Sequence, residues 1–278
     1  MKLNHHTLMR FPGFKDKAVT FSYDDGTETD LRLAEIFTKY NLKCTFNVCS
    51  GSLYSPNKPS PEKLIEAYSK GGHEVAVHGQ RHLSLGEMPY EHVLKDVLAD
   101  REKLEEVFGG VIKGMAYANG NFNEDVKTML KYCGINYARS TGSTELFTIP
   151  SDWLEWKPTC HHDNPKLFEL LEQFFTPVTR NYYWSKTPRL FYVWGHSYEF
   201  KQKDNWDRIE EFAEKISGKD DVYYATNGEI FDYIRAYERL EFTVDGKYVY
   251  NPSSKDVYIN YIEHEVIAKA GELTKVKD

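Results

Sequence analysis

Asp24 and Asp25 close an apolar run, Phe21-Ser-Tyr-Asp-Asp-Gly26. Adjacent carboxylates can divide labour, one holding a cation and the other accepting a proton. Gly26 permits a sharp exit that lets both acids point into a site, although an Asp-Asp-Gly sequence by itself commonly marks a turn. His78 and His82 stand four positions apart. If the chain turns helically after the preceding strand, both imidazoles face one side and can grip one divalent ion. Spacing alone decides little: with 10 histidines in 278 positions, about 0.4 such pairs arise by chance. Either carboxylate would complete a three-ligand site with a position left for water, whose pKa such an ion brings toward about 7. His196, in Phe191-Tyr-Val-Trp-Gly-His-Ser197, could protonate a leaving group, since an unperturbed imidazole titrates near 6.5. Its bland reading is a buried, hydrogen-bonded ring beside Trp194. His161 and His162 could line a cleft, but neighbours in an extended strand face opposite sides and rarely share a ligand.

These residues need a frame that brings distant segments together. Short apolar runs alternate with amphipathic stretches, the pattern of βα units around a mainly parallel sheet or barrel. Strands are expected near residues 18–23, 43–48, 74–78, 111–117, 135–140, 190–195 and 222–226. Helices are expected near 30–40, 61–69, 89–108, 124–133, 165–175, 206–216 and 228–237. Leu167, Leu170, Leu171, Phe174 and Phe175 make one apolar stripe; Val126, Met129, Leu130 and Cys133 make another, closed by Gly134. Pro61, Pro89 and Pro165 suit a first helical turn. Asp24-Asp25, His78 with His82, Tyr117 to Gly120, and His196 then all fall at C-terminal strand ends, where such folds place their ligand sites. The segment 141–164 is too long for a bare connection and is expected to shape a cleft. After Tyr237 the pattern becomes β, with an Asp245-Gly246 hairpin signal. The expected division is a barrel unit, 1–238, and a small β appendage with a charged tail, 239–278.

The chain carries 35 Lys and Arg against 42 Asp and Glu, a net charge of −7, which argues against a nucleic-acid partner held by cation release. No apolar run approaches the roughly 20 residues of a membrane helix, and the N-terminus has no apolar leader core. The expectation is a cytoplasmic protein with no membrane partner. Cys44, Cys49, Cys133 and Cys160 fit neither a disulfide framework nor a CxxC pair, so reduced core thiols are expected.

Thr20-Phe-Ser-Tyr-Asp-Asp-Gly26, His78-x3-His82, Met115-Ala-Tyr-Ala-Asn-Gly120 and Leu190-Phe-Tyr-Val-Trp-Gly-His196 together, and in this order, resemble the polysaccharide deacetylases, the NodB-type domain of carbohydrate esterase family 4. The likeness spans roughly residues 14–238. It implies an α/β fold, a distorted (β/α) barrel of seven or eight strands. It also implies a divalent ion, Zn²⁺ first with Co, Ni or Mn as alternatives, and hydrolysis of an N-acetyl group on an amino sugar. Carried over, Asp25, His78 and His82 would hold the metal, Asp24 would be the general base and His196 the general acid. The third family motif, Arg-x-Pro-Tyr-Gly, aligns with Ala116-Tyr117-Ala118-Asn119-Gly120 and has lost its arginine, proline and tyrosine. A backbone N–H at Asn119 can still serve an oxyanion hole, near Tyr117, because no side chain is needed for it. Without its arginine, Asp24 would lose its cationic neighbour and rise in pKa; Arg139, at the end of the next strand, is the candidate replacement. The fourth motif survives only as a faint echo in Asp152-Trp153. Trp153, Trp156 and Trp184 are candidates for stacking on sugar, with core or rim packing the commoner role for any one of them, and His161 and His162 are candidates for lining the cleft. The partner expected is a carbohydrate or small N-acetylated compound. Hydrolysis of another amide, cyclic ones included, or carbohydrate binding without catalysis are the rival readings.

Overall fold

The computed structural model describes residues 6–177, 187–261 and 264–276. Its strands and helices are, in chain order, β1 (Met9–Arg10), β2 (Lys17–Asp24), α1 (Thr29–Lys39), β3 (Cys44–Val48), α2 (Pro61–Gly71), β4 (Glu74–Val77), α3 (Tyr90–Phe108), β5 (Gly114–Ala116), α4 (Glu124–Tyr132), β6 (Tyr137–Arg139), β7 (Cys160–His161), α5 (Leu167–Phe175), β8 (Arg189–Gly195), α6 (Ser197–Gln202), α7 (Trp206–Ile216), β9 (Val222–Tyr224) and α8 (Asn227–Glu238). Five short strands follow: β10 (Glu241–Phe242), β11 (Tyr248–Tyr250), β12 (Val257–Tyr261), β13 (His264–Ala268) and β14 (Leu273–Lys275).

The main sheet runs β6-β5-β4-β3-β2-β8-β7, all parallel, with β9 also on β2. β8 takes one edge of β2 along residues 17–23, while β9 and β3 share the other edge in succession. The segment from Trp156 to His162 joins the two ends of the sheet. Trp156 N–H donates to Ala138 O and Ser140 N–H to Trp156 O, while Thr159 and His162 N–H donate to Tyr192 and Trp194 on β8. The sheet thus curls into a distorted (β/α) barrel.

β2 is buried along its whole length, and its period-2 alternation sorts two environments. Val19, Phe21 and Tyr23 pack outward into the helix layer, where Phe21 and Phe37 rings lie 4.5 Å apart. Thr20, Ser22 and Asp24 take the opposite face and make polar contacts: Thr20 Oγ1 donates to Asn227 Oδ1 (2.8 Å), and Asn47 Nδ2 to both Ser22 Oγ (2.7 Å) and Asp24 Oδ1 (2.8 Å). A polar file therefore climbs the barrel interior and ends at Asp24.

The C-terminal strands form antiparallel sheets, β10-β11-β14 and β1-β12-β13, the second including the N-terminal β1. Gly246 adopts φ +66° in the Asp245-Gly246 turn between β10 and β11. Tyr233 of α8 ties this layer on: its hydroxyl donates to Arg10 O and accepts from Tyr258 N–H. All four cysteines are free and buried. Among the described residues no helix is long and apolar enough to cross a membrane.

The structure adds β7 and α6, each too short to leave a periodic signature. It also starts α5 at Leu167, beyond Pro165, because Asn164 Oδ1 accepts the Lys166 N–H and holds that segment as a turn.

Candidate active site

Asp24 ends β2, His78 follows β4, Arg139 ends β6 and His196 follows β8, so one sheet edge carries them all. Beyond Asp24 the chain turns abruptly: Asp25 has φ +81° and Gly26 φ +58°. A side chain at Gly26 would press into Val48. The left-handed Asp25 costs of order 1–3 kcal/mol, and the turn is held by Asp25 N–H on Asn47 O (2.9 Å) and by Lys58 Nζ on Asp25 O (2.6 Å). The result aims the Asp25 carboxylate at two imidazoles. Its Oδ1 lies 3.5 Å from His78 Nε2 and 3.5 Å from His82 Nε2. A side of about 3.3 Å is what tetrahedral ligands on bonds near 2.0–2.1 Å require.

His78 is buried, its Nδ1 bonded to Ala116 O (2.9 Å), and its Nε2 has no hydrogen-bond partner. Burial lowers its pKa against the pull of Asp24 and Asp25, so the ring is neutral with a lone pair facing Asp25. An orphaned nitrogen, a second imidazole and a carboxylate are a donor set that fits a divalent ion of the zinc class. An open cleft of about 520 Å³, lined by Asp25, Lys58, Arg81 and His82 among others, meets the triad.

The helical turn expected across residues 78–82 is absent. His82 is itself left-handed, φ +55°, and α3 shapes this loop by taking its backbone N–H groups. Asp100 accepts Ser50 N–H (2.6 Å) and His78 N–H (3.0 Å); Asp96 accepts Arg81 N–H (3.2 Å) and Nε (3.1 Å). Sequence reading passed over both acids. Their signal was present: they interrupt the buried face Val93, Val97, Leu104 of α3, where apolar residues belong.

Asp24 is 2% exposed. Burial alone would raise its pKa, but the Arg139 guanidinium, then His78 and His196, hold the carboxyl below its ordinary value. Arg139 Nη2 donates to Asp24 Oδ2 in a direct, fully buried contact, with its guanidinium 4.3 Å above the Trp194 ring. The arginine lost from the third motif is thus matched by one from the neighbouring strand.

The comparisons with known proteins join this geometry. Residues 12–138 match the family model described as polysaccharide deacetylase. Over those residues, a little under half of the chain, the sequence is similar to that family. The match stops one residue before Arg139. The search of curated proteins gave no match. Among solved structures, an allantoinase, Puue, aligns with TM-score 0.62 at 13% identity, over 80% of this chain and 91% of that one. A Mycobacterium smegmatis protein described as a polysaccharide deacetylase aligns with TM-score 0.60 at 19% identity, over 85% and 96%. A family 4 acetyl xylan esterase from Clostridium thermocellum, solved with a cobalt ion, aligns with TM-score 0.50 at 15% identity, over 77% and 90%. At these identities the likenesses establish the shared fold.

On the far side of Asp24, His196 Nε2 lies 3.9 Å from Asp24 Oδ2, while Nδ1 lies 3.1 Å from Glu199 Oε1. Burial lowers His196, but Glu199, Asp24 and Asp25 together raise it above its ordinary value. Glu199, which sequence reading missed, is held well below the usual carboxylate range against its burial by His162 and His196. Its signal is the i, i+3 spacing from His196 at the start of α6. Asp30 anchors this helix by accepting the Ser197 hydroxyl; burial pushes Asp30 up to about 6.

Other expected contacts are corrected. Tyr117 is buried, its hydroxyl spent on Leu154 O (2.7 Å) and its ring stacked on Phe122, because the strand end turns it into the core. Trp156 is 1% exposed among Tyr137, Trp153 and Tyr192, so it closes the barrel and reaches no sugar. Trp153 packs edge-on against Trp156 and Phe231. Asp152 caps Leu154 N–H and pairs with Lys127, with no contact to the site. His162 is buried between Tyr23 and Phe200, whereas His161 is partly exposed against Trp194. Asn119 stays at the strand edge, with φ +57° and Nδ2 on Ser84 Oγ (3.1 Å). Trp184 lies outside the described residues.

Proposed function

We propose that this chain is a metal-dependent hydrolase that removes acetyl groups from N-acetylated amino sugars. The observation that supports it most is the buried Asp24–Arg139 pair set directly against the Asp25–His78–His82 cluster. That arrangement supports reading Asp24 as an ionised base beside a donor set for one divalent ion, with Zn²⁺ the best fit and Co, Ni or Mn as alternatives.

Asp25, His78 and His82 would hold the ion, which when bound supplies Lewis acidity toward the acetyl carbonyl and lowers the pKa of water. Asp24, kept anionic by Arg139, takes the proton of the attacking water. The carbonyl oxygen becomes an oxyanion, and the backbone N–H of Asn119 is the protein donor we assign to it. The C–N bond then breaks, and His196 Nε2 gives its proton to the departing amine. Glu199 holds His196 from its Nδ1 side, so the other nitrogen faces the site. Acetate and the free amino sugar leave.

Acetate release from zinc-loaded protein on N-acetylglucosamine oligomers tests this reading. Turnover that vanishes with chelator, returns with Zn²⁺ and is lost in Asp24→Asn supports it. Turnover indifferent to chelation and to Asp24→Asn contradicts it. Ring opening of a cyclic amide in place of acetate release would keep the machinery and replace the substrate.

A further inference from the structure

A second cluster of ligand-type side chains lies beyond His196, where β7 and α6 meet. His162 is clamped between Tyr23, parallel at a ring distance of 5.6 Å, and Phe200, at 4.1 Å. Its backbone N–H is fixed on Trp194 O (2.9 Å). Packing so tight leaves Nε2 one direction to face. It points at two carboxylates: Glu199 Oε2 at 3.0 Å and Asp163 Oδ2 at 3.5 Å. Neither contact has good hydrogen-bond geometry: His162 draws the Glu199 carboxyl down electrostatically, yet His162 Nε2 and Glu199 Oε2 are both buried without a well-formed hydrogen bond. Two orphaned polar atoms facing each other this closely, in a ring that is 1% exposed, incur the desolvation cost of unmade hydrogen bonds. A shared cation would satisfy both.

The separations match that occupant. Ligand atoms on bonds of about 2.0–2.2 Å in a tetrahedral shell stand roughly 3.3 Å apart, and the same test was met by the Asp25–His78–His82 triad. We propose that His162 Nε2, Asp163 Oδ2 and Glu199 Oε2 form a second divalent-cation site, selective for a zinc-class ion. One nitrogen and two carboxylate oxygens suit Zn²⁺ or Co²⁺ better than Ca²⁺ or Mg²⁺, which favour all-oxygen shells.

His161 is a neighbour of this site and not a ligand. Its Nδ1 accepts Asp163 N–H (3.1 Å), which leaves the ring proton on Nε2, 3.3 Å from Glu199 Oε2. Lys203 Nζ bonds Asp163 Oδ2 from the solvent side. Half of its side chain is exposed, and such surface pairs contribute about 0–1 kcal/mol, so an incoming dication displaces it. Glu199 would then serve two groups, Oε1 on His196 and Oε2 on the ion. The ion would tie the segment after β7 to the first turn of α6.

Zinc binding to the double variant Asp25→Ala/His82→Ala, which lacks the first site, tests the proposal independently of any activity. Equilibrium dialysis with Zn²⁺ alone, read by elemental analysis, is expected to find one equivalent retained. Asp163→Asn, a partly exposed isosteric change, and Glu199→Gln, each added to that background, are expected to weaken the retained zinc about tenfold or more. Matched thermal melting without metal confirms that each variant is folded. A double variant that holds no zinc, or that binds it as tightly after either added substitution, overturns the proposal.

Discussion

The two histidine-bearing flanks of Asp24 are built in different ways. On one flank, His78 and His82 sit on a loop whose backbone is fixed: Asp96 and Asp100 of α3 take its N–H groups, and Asp25 reaches it from a left-handed turn. On the other, His196 is held through side chains, by Glu199, while Asp30 secures the helix that presents both. Backbone anchoring sets ligand positions whether or not a proton or an ion is present. Side-chain anchoring ties the orientation of His196 to its charge, which suits the general-acid role proposed for it. The first flank should therefore respond to substitution through metal affinity and the second through pH profile.

Asp24, the proposed base between the flanks, should show the largest effect. Asp24→Asn is expected to lower kcat by about 10³-fold or more while bound zinc, measured by elemental analysis, stays constant. Loss of zinc together with activity would merge Asp24 into the ligand flank. Arg139→Met comes next. It strands a buried carboxylate, so unfolding in urea should show a loss of about 3–5 kcal/mol. Asp24 would also titrate higher, moving the acidic limb of the kcat profile to higher pH; an unmoved limb would dismiss Arg139 as the tether.

Glu199→Gln should cost about 10- to 100-fold in kcat. It should also move the basic limb to lower pH, since His196 loses a group that raises its pKa. A uniform loss at every pH would argue for mere misfolding of α6. Asp100→Asn should leave the shape of the pH profile unchanged and weaken zinc about tenfold, as isothermal titration can show. The smallest effect concerns stability. Asp30 titrates at about 6 in the fold against about 3.9 when unfolded, so the native state retains its proton longer. The contribution of Asp30 to stability is therefore full below about pH 4, declines between about pH 4 and 6 by up to roughly 3 kcal/mol, and is absent above. Asp30→Asn should flatten that slope in urea midpoints taken across the range, and an unchanged slope would assign it elsewhere.

The same contrast explains what the sequence disclosed. The barrel was legible because short apolar runs at β2, β3, β4 and β8 alternate with amphipathic helices, and the strand ends carry Asp24, His78 and His196. Arg139 was legible as a candidate because topology sets the end of β6 on the same edge. Glu199, Asp96 and Asp100 were passed over because acids on helices ordinarily read as solvated. Only packing reveals that α3 turns two carboxylates inward. Tyr117, expected beside the oxyanion donor, and Trp156, for which core packing was the commoner expectation and sugar stacking the alternative, were decided by the strand twist, which buries both. The interior file Thr20, Ser22 and Asp24 was written in the alternation of β2, hidden by the large residues between.

Anomalous diffraction at the zinc edge from crystals equilibrated with Zn²⁺ tests the arrangement on which these expectations depend. A peak within about 2.0–2.2 Å of Asp25, His78 and His82 together, beside an Asp24 still paired with Arg139, is the predicted result. Zinc bound elsewhere, with those three side chains bare, would contradict it.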